Sequence, residues 1–270
     1  MSAHSSAQET RTPFGVLVIS ALMLGLLVVA GCSTSSPSGP DSPPFASTPT
    51  ELYMSFVPRY SSDPPGTVYV YVDGKRVRSW THLSTGEMGL VVVDSLVRTM
   101  TYESTGGPGH EYSIHGSPTG RTFTCLGGTY DASSDGEYIY AWDLHDAQLV
   151  RCDLEWSSPE VLFSLPFDEY SMAYMGITYD LISETVWLSS WSEADFHRLD
   201  NYSLDGALLG SIDLQGGYGA GLAMDYRDST LWYYDWSDER YEKYSPTSGT
   251  MLGVMDGMYR IYGAEFAPPD

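Results

Sequence analysis

Between Gly221 and Gly253 short apolar or aromatic runs alternate with polar turns. Gly221-Leu-Ala-Met-Asp225 is followed by the turn Tyr226-Arg-Asp-Ser229, then by Thr230-Leu-Trp-Tyr-Tyr234. An acidic turn, Asp235-Trp-Ser-Asp-Glu239, leads into Arg240-Tyr-Glu-Lys-Tyr244, and Pro246-Thr-Ser-Gly249 precedes Thr250-Met-Leu252. Runs of this length, rich in aromatic and β-branched residues and bounded by Gly, Pro, Asp and Ser, predict four strands joined by hairpin turns. The unit recurs. Gly176-Ile-Thr-Tyr-Asp180, Val186-Trp187, Trp191 and Asp205-Gly206-Ala-Leu-Leu-Gly210 match it one step earlier. A looser copy reads Gly127-Gly-Thr-Tyr-Asp131, then Ile139-Tyr140 and Trp142, and the chain ends on another opening, Gly263-Ala-Glu-Phe-Ala267.

A four-stranded unit repeating every forty-odd residues predicts an all-β chain folded as a β-propeller, one unit to a blade. With Gly89-Leu-Val-Val-Val93-Asp94, the first-strand glycines give five starts, and the third-to-fourth turns at Gly74, Gly116, near Pro159, Gly206 and Gly249 again give five. The two sets are offset. The strand at Gly263 has no followers, and the strands Leu52–Phe56, Thr67–Val72 and Arg76–Trp80 have no leader. Joining them in one blade closes the ring and protects its edges, so the expectation is five four-stranded blades closed by pairing the C-terminal strand with the N-terminal ones.

Upstream the pattern changes. Val16 to Val29 is an apolar core of signal-peptide length, too short for a comfortable membrane span. The Val29-Ala-Gly-Cys32 that follows resembles the lipobox of bacterial lipoproteins, which implies cleavage before Cys32 and a lipid on it. Ser33, where sorting in that family is read, fits the outer membrane, and an unprocessed anchor helix is the alternative. Residues 1–31 are thus read as a lipoprotein signal peptide, 32–50 as a Ser/Pro-rich tether with too little apolar content to fold, and 51–270 as the propeller. The domain is expected outside the cytoplasm, in the cell envelope, with the membrane as a partner through Cys32.

The formal net charge of −22 lies almost wholly in the mature part and argues against nucleic acid, whose phosphates need a basic face. Cys125 and Cys152 remain after Cys32, and one disulfide or two separate buried thiols both fit. No Cys-x-x-Cys or His/Cys spacing points to a metal, the six histidines are scattered, and no cofactor motif is present. Asp131-Ala-Ser-Ser-Asp-Gly-Glu137 lacks the alternating acids of a calcium loop and reads as a hairpin turn.

In a propeller the second-to-third and fourth-to-first connections surround the channel mouth. Three of the former pair a tryptophan with acid: Trp142 with Asp146, Trp191 with Asp195, and Trp236 with Asp238. Any one such Trp fits an interblade core. Three together predict a Trp- and acid-lined face that binds a small ligand, peptide or protein. In the first complete unit, Tyr102-Glu-Ser-Thr-Gly106 sets Glu103 in the corresponding slot, and a carboxylate against aromatic walls has its pKa raised toward proton-transfer range.

This Tyr-Glu-Ser-Thr-Gly-x-x-Gly stretch, preceded by Gly89-Leu90, resembles the motif of the plant and bacterial type of glutaminyl-peptide cyclotransferase, a five-bladed propeller family. The resemblance implies that Glu103 moves a proton from an N-terminal glutamine's α-amine to the departing ammonia, without a metal, while tryptophans such as Trp142 cage the side chain. Elsewhere the chain departs from that family: Leu126-Gly127 stands where it usually carries Glu-Gly, and Met175-Gly176-Ile177 where it tends to have Trp-Gly-Leu. A ligand-binding propeller and a cyclotransferase are therefore both carried forward, beside another propeller enzyme or a purely structural surface protein.

Overall fold

From residue 51 onward, alternation with period two and a turn every few residues leaves no run long enough for a helix, and the computed structural model contains none among its described residues. Those residues are 50–58, 63, 65–102, 108–124, 129–166, 173–191, 197–214, 217, 219–258 and 260–268. Among the described residues, twenty strands form five antiparallel four-stranded sheets. Blade I holds β4 (Glu87–Val93), β5 (Leu96–Thr101), β6 (Gly109–Ser113) and β7 (Pro118–Phe123). Blade II holds β8 (Ala132–Ser134), β9 (Tyr138–Asp143), β10 (Gln148–Asp153) and β11 (Glu160–Ser164). Blade III runs from β12 (Ala173–Asp180) through β13 (Thr185–Trp191) and β14 (Arg198–Ser203) to β15 (Leu208–Asp213). Blade IV runs from β16 (Leu222–Asp225) through β17 (Thr230–Asp235) and β18 (Arg240–Tyr244) to β19 (Met251–Met255).

Blade V is the composite one. Its inner strand is β20 (Ile261–Phe266), followed outward by β1 (Leu52–Phe56), β2 (Thr67–Val72) and β3 (Lys75–Thr81). β1 pairs with β20 from Leu52↔Phe266 to Ser55↔Gly263, so the two ends of the domain are stitched by backbone hydrogen bonds. The inner strands neighbour one another in the order β4, β8, β12, β16, β20 and back to β4, which makes the sheets a closed ring. This is the five-bladed propeller that the repeats predict.

The apolar side chains gather into five clusters, one at each junction between blades. Leu90, Val92 and Val97 of blade I meet Tyr53, Val68 and Val70 of blade V, for example. Each blade buries both faces of its inner strands, as β16 does along its whole length, while its fourth strand is exposed. Burial at roughly 25 cal/mol per Å² of apolar surface is the main favourable term, and here it is collected between blades rather than in one centre.

Blade II departs from the predicted register. Its inner strand is not Gly127–Asp131 but Ala132–Ser134. Asp135, whose carboxylate accepts the N–H groups of Glu137 and Tyr138, heads its turn as Asp180 and Asp225 head theirs. Counting back four residues from each, Asp131 stands where the other units have Gly176 and Gly221. Gly127 lies outside the described residues.

Candidate functional site

The inner strand of each blade has one edge without a strand partner, and those edges converge on the channel. Buried there, their N–H groups need acceptors. Asp131 supplies them. One carboxylate oxygen accepts from Ala132 at 3.0 Å and Ala264 at 2.9 Å, the other from Leu222 at 2.9 Å and Ile177 at 3.2 Å. A single fully buried side chain thus binds four of the five inner strands at once. At the same position in blade V, glycine lets the neighbouring backbone approach closely: a Cβ on Gly263 would come within 2.1 Å of the Met88 carbonyl oxygen.

A second tier lies two residues further along. Glu265 accepts from Ser134 N–H at 2.7 Å, from Ser133 Oγ at 2.9 Å and from Val92 N–H. Ser133 Oγ accepts from Tyr179 N–H at 2.9 Å, and Thr178 Oγ1 from Met224 N–H at 3.1 Å. Burial pushes the Glu265 carboxyl up to about 8, against the pull of its three donors. Burial pushes Asp131 upward too, opposed by its four amides. Every oxygen in these tiers already holds a donor, so the tiers fasten the ring.

Above the tiers the chemistry changes. Tyr130 and Tyr262 are the residues just before Asp131 and Gly263, so they stand at the channel mouth. Their rings stack with centroids 5.8 Å apart and planes 21° from parallel. Tyr102, at the end of blade I's second strand, stacks on Tyr130 at 4.4 Å and 13°. Trp236, following β17 in blade IV, meets Tyr262 edge to face at 4.9 Å and 69°. Its indole Nε1–H donates to the Ile261 carbonyl at 2.9 Å, which fixes the ring. Four half-buried rings thus form a continuous aromatic ladder from blade I to blade IV. Such arrangements offer stacking faces and cation–π sites.

Beside the ladder, Glu87 at the mouth end of β4 is fully buried and already occupied. It accepts from Ser84 N–H at 2.7 Å, from the Tyr112 hydroxyl at 3.0 Å and from Thr99, and it faces His110 Nδ1 at 3.0 Å. His82 lies beyond, linked through Ser55, and burial pushes its imidazole down to about 4, so it is neutral at physiological pH. Asp235, Asp238 and Glu242 come nearest to a metal-ligand cluster among the described residues. Arg240 occupies it, bonded to Asp238 at 2.9 Å and Glu242 at 2.6 Å, while Asp235 holds the amides of Gly217 and Ser237.

The predicted site residues separate. Trp142 is 2 % exposed and lies between blades II and III against Phe163 and Tyr174. It does not share Trp236's register. Asp143 opens its turn as Asp235 does, so Trp142 is one residue earlier, in the position of Tyr234. Trp191 ends β13 in the register of Trp236, and Tyr102 holds the same register in blade I. Trp236 is in the ladder. Asp146 is an exposed turn residue, and Asp238 is 51 % exposed and paired with Arg240. Cys152 is buried in β10 opposite Ile139. Glu103, Asp195, Cys32, Cys125 and the side chain of Trp191 lie outside the described residues. Asp131, Glu265, Tyr130 and Tyr262 were not among the predicted site residues; the signal for the first was the spacing Asp131 to Asp135, equal to Gly176 to Asp180.

The fold and the mouth together define a class, a five-bladed propeller with an aromatic channel mouth. No family model matches the chain, and no curated protein matches it at a significant level. Among solved structures, a chain of a nidogen/laminin complex is 15 % identical, with a TM-score of 0.55, over 83 % of this chain and 100 % of that one. Myxococcus xanthus glutaminyl cyclase is 18 % identical with a TM-score of 0.42, over 67 % and 70 %. A Bacteroides caccae protein of unknown function is 10 % identical with a TM-score of 0.47, over 78 % and 74 %. Likeness at these identities concerns the fold alone.

Proposed function

We propose that the protein is an extracytoplasmic binding propeller, held to the membrane by a lipid on Cys32, that takes up a small ligand or peptide at its channel mouth. The observation that carries this reading is the ladder Tyr102, Tyr130, Tyr262 and Trp236. Flat aromatic faces at the mouth of a chain with formal net charge −22 favour a ligand that presents a cationic or planar group. The described carboxylates nearest the axis all hold donors already, which favours binding over acid–base chemistry there. The test is calorimetric titration with a glutaminyl tripeptide amide, whose free α-ammonium supplies the cation. Saturable binding that Tyr262→Ala weakens at least tenfold supports the site; binding unchanged by Tyr262→Ala and Tyr130→Ala refutes it. Mass spectrometry of the mature N-terminus, with Cys32→Ser as control, tests the lipid.

The second reading is metal-independent glutaminyl cyclotransferase activity with Glu103 as acid and base. One observation favours it: Tyr102, the first residue of the motif, is a rung of the ladder. In that reaction the α-amine nitrogen attacks the side-chain amide carbon, the C–N bond to the amide nitrogen breaks, and ammonia leaves with the proton Glu103 has moved. Ammonia release from the same tripeptide decides it. The reading requires release by the wild type that Glu103→Gln abolishes.

A further inference from the structure

First strands start at the mouth and end on the opposite face, so Phe266 closes β20 there and Leu52 opens β1 there. The Ala267 N–H donates to the Glu51 carbonyl at 2.9 Å, and Thr50 Oγ1 donates at 3.2 Å to Asp225, the last residue of β16. The upstream chain, Cys32 and then residues 33–49, therefore joins the domain on the face away from the mouth, beside the junction of blades IV and V.

Two surface features gather at the same place. The first is positive charge, in a chain of formal net charge −22. The chain has only two lysines, Lys75 and Lys243, and both lie towards this face, Lys75 opening β3 and Lys243 near the end of β18. Arg76 is exposed next to Lys75, and Arg227, in the turn after β16, reaches across to Asp73 of blade V at 2.9 Å. Lys243 pairs with Asp228, while among the described residues no ion pair engages Lys75 or Arg76. The turns of blades I, II and III on this face carry acids instead, Asp94, Asp135, Asp153, Asp180 and Asp205 among them.

The second feature is apolar exposure. The outer strands β15 and β19 of neighbouring blades III and IV each begin on this face with two bare aliphatic side chains. Leu208, Leu209, Met251 and Leu252 are between 41 % and 57 % exposed. The outer strand of blade I begins with Pro118 and Thr119, and that of blade II with Glu160 and Val161. Aliphatic side chains beside lysine and arginine suit a phospholipid surface, where the acyl boundary takes the former and the phosphates the latter.

We propose that this face docks on the phospholipid bilayer, with the edge of blades III to V against the headgroups and the channel mouth turned away from the membrane. The inference rests on the lipid-anchored reading above and adds an orientation to it. A ligand then reaches the mouth from the solvent side, and the acids of blades I and II are held off the anionic surface.

The test places the full chain, labelled with 13C at its methionine methyl groups, on nanodiscs of phosphatidylethanolamine and phosphatidylglycerol that carry a gadolinium-chelating lipid. Met251 reports on the docking face and Met258, between β19 and β20, on the mouth side; each signal is assigned by its loss in the Met→Leu variant. The expected result is several-fold stronger broadening of Met251 than of Met258. Leu209→Glu with Leu252→Glu, and separately Lys75→Glu with Arg76→Glu, all at exposed positions, should each bring Met251 towards the level of Met258. Equal broadening of the two signals overturns the proposal, as does Met251 broadening that survives both pairs of substitutions. A Met251 signal that moves with protein concentration in the absence of lipid overturns it too, in favour of a second copy of the chain. Mass spectrometry of the same sample reads the lipid on Cys32 by itself. A chain found without that lipid is held on the discs through an N-terminal polyhistidine tag and nickel-chelating lipid, so failure of the anchor leaves the docking test intact.

Discussion

The channel axis and the channel mouth are one residue apart in sequence and opposite in character. Asp131 is fully buried with four backbone donors on its two oxygens; Tyr130, just before it, is half-buried in a stack of rings. The same contrast holds between Glu265 and Tyr262 in β20. In the axis the oxygens of Asp131 and Glu265 already hold donors, which is how a buried network stabilises one arrangement. In the mouth, ring faces are presented where the connections meet. A charged residue deep in a propeller channel invites a catalytic reading, and here its bonding argues for a structural one.

The contrast can be broken from the axis side first. Asp131→Ala leaves four buried N–H groups without acceptors, each worth about 1–3 kcal/mol. The expected loss is at least about 4 kcal/mol, enough to unfold a marginal domain, and urea denaturation measures it. Trp142→Ala comes next, at about 4 kcal/mol from cavity formation between blades II and III, by the same measurement. A loss below about 1 kcal/mol would return Trp142 to the mouth.

A smaller effect concerns pH. The Glu265 carboxyl, near 4.5 when unfolded, is raised to about 8 in the fold by burial. The native state therefore holds the proton more tightly. Stability from this group is fully present below about pH 4.5 and is lost as pH rises toward 8. Asp131 contributes in the same direction. Between pH 5 and 8, Glu265→Gln should show a shallower fall of Tm than the wild type. The smallest stability change is expected in the mouth. Tyr262→Ala removes a half-buried ring and should cost about 1 kcal/mol, leaving Tm within a few degrees of the wild type.

Much of this architecture was legible in the chain. Alternation and turn residues marked the strands, and the offset between glycine starts and hairpin turns predicted that β20 would join β1, as it does. The axis was not legible. Aligning blade II on Gly127 hid the fact that Asp131 takes a glycine's place, because a carboxylate at a crowded, buried position runs against the usual preference. The tryptophans misled for a related reason. Proximity to a turn suggested a shared row, but a shift of one residue sends a strand's side chain to the opposite face, and Trp142 is one residue from Trp236's register. Tyr130 and Tyr262 could have been read from their repeated place immediately before the first-strand motif.

The most direct test of the division between axis and mouth is a paired measurement on Tyr262→Ala: its Tm and its affinity for the glutaminyl tripeptide amide. A Tm within a few degrees of the wild type with at least a tenfold loss of binding is the predicted result. A collapse in Tm, or unchanged binding in a folded variant, would contradict it.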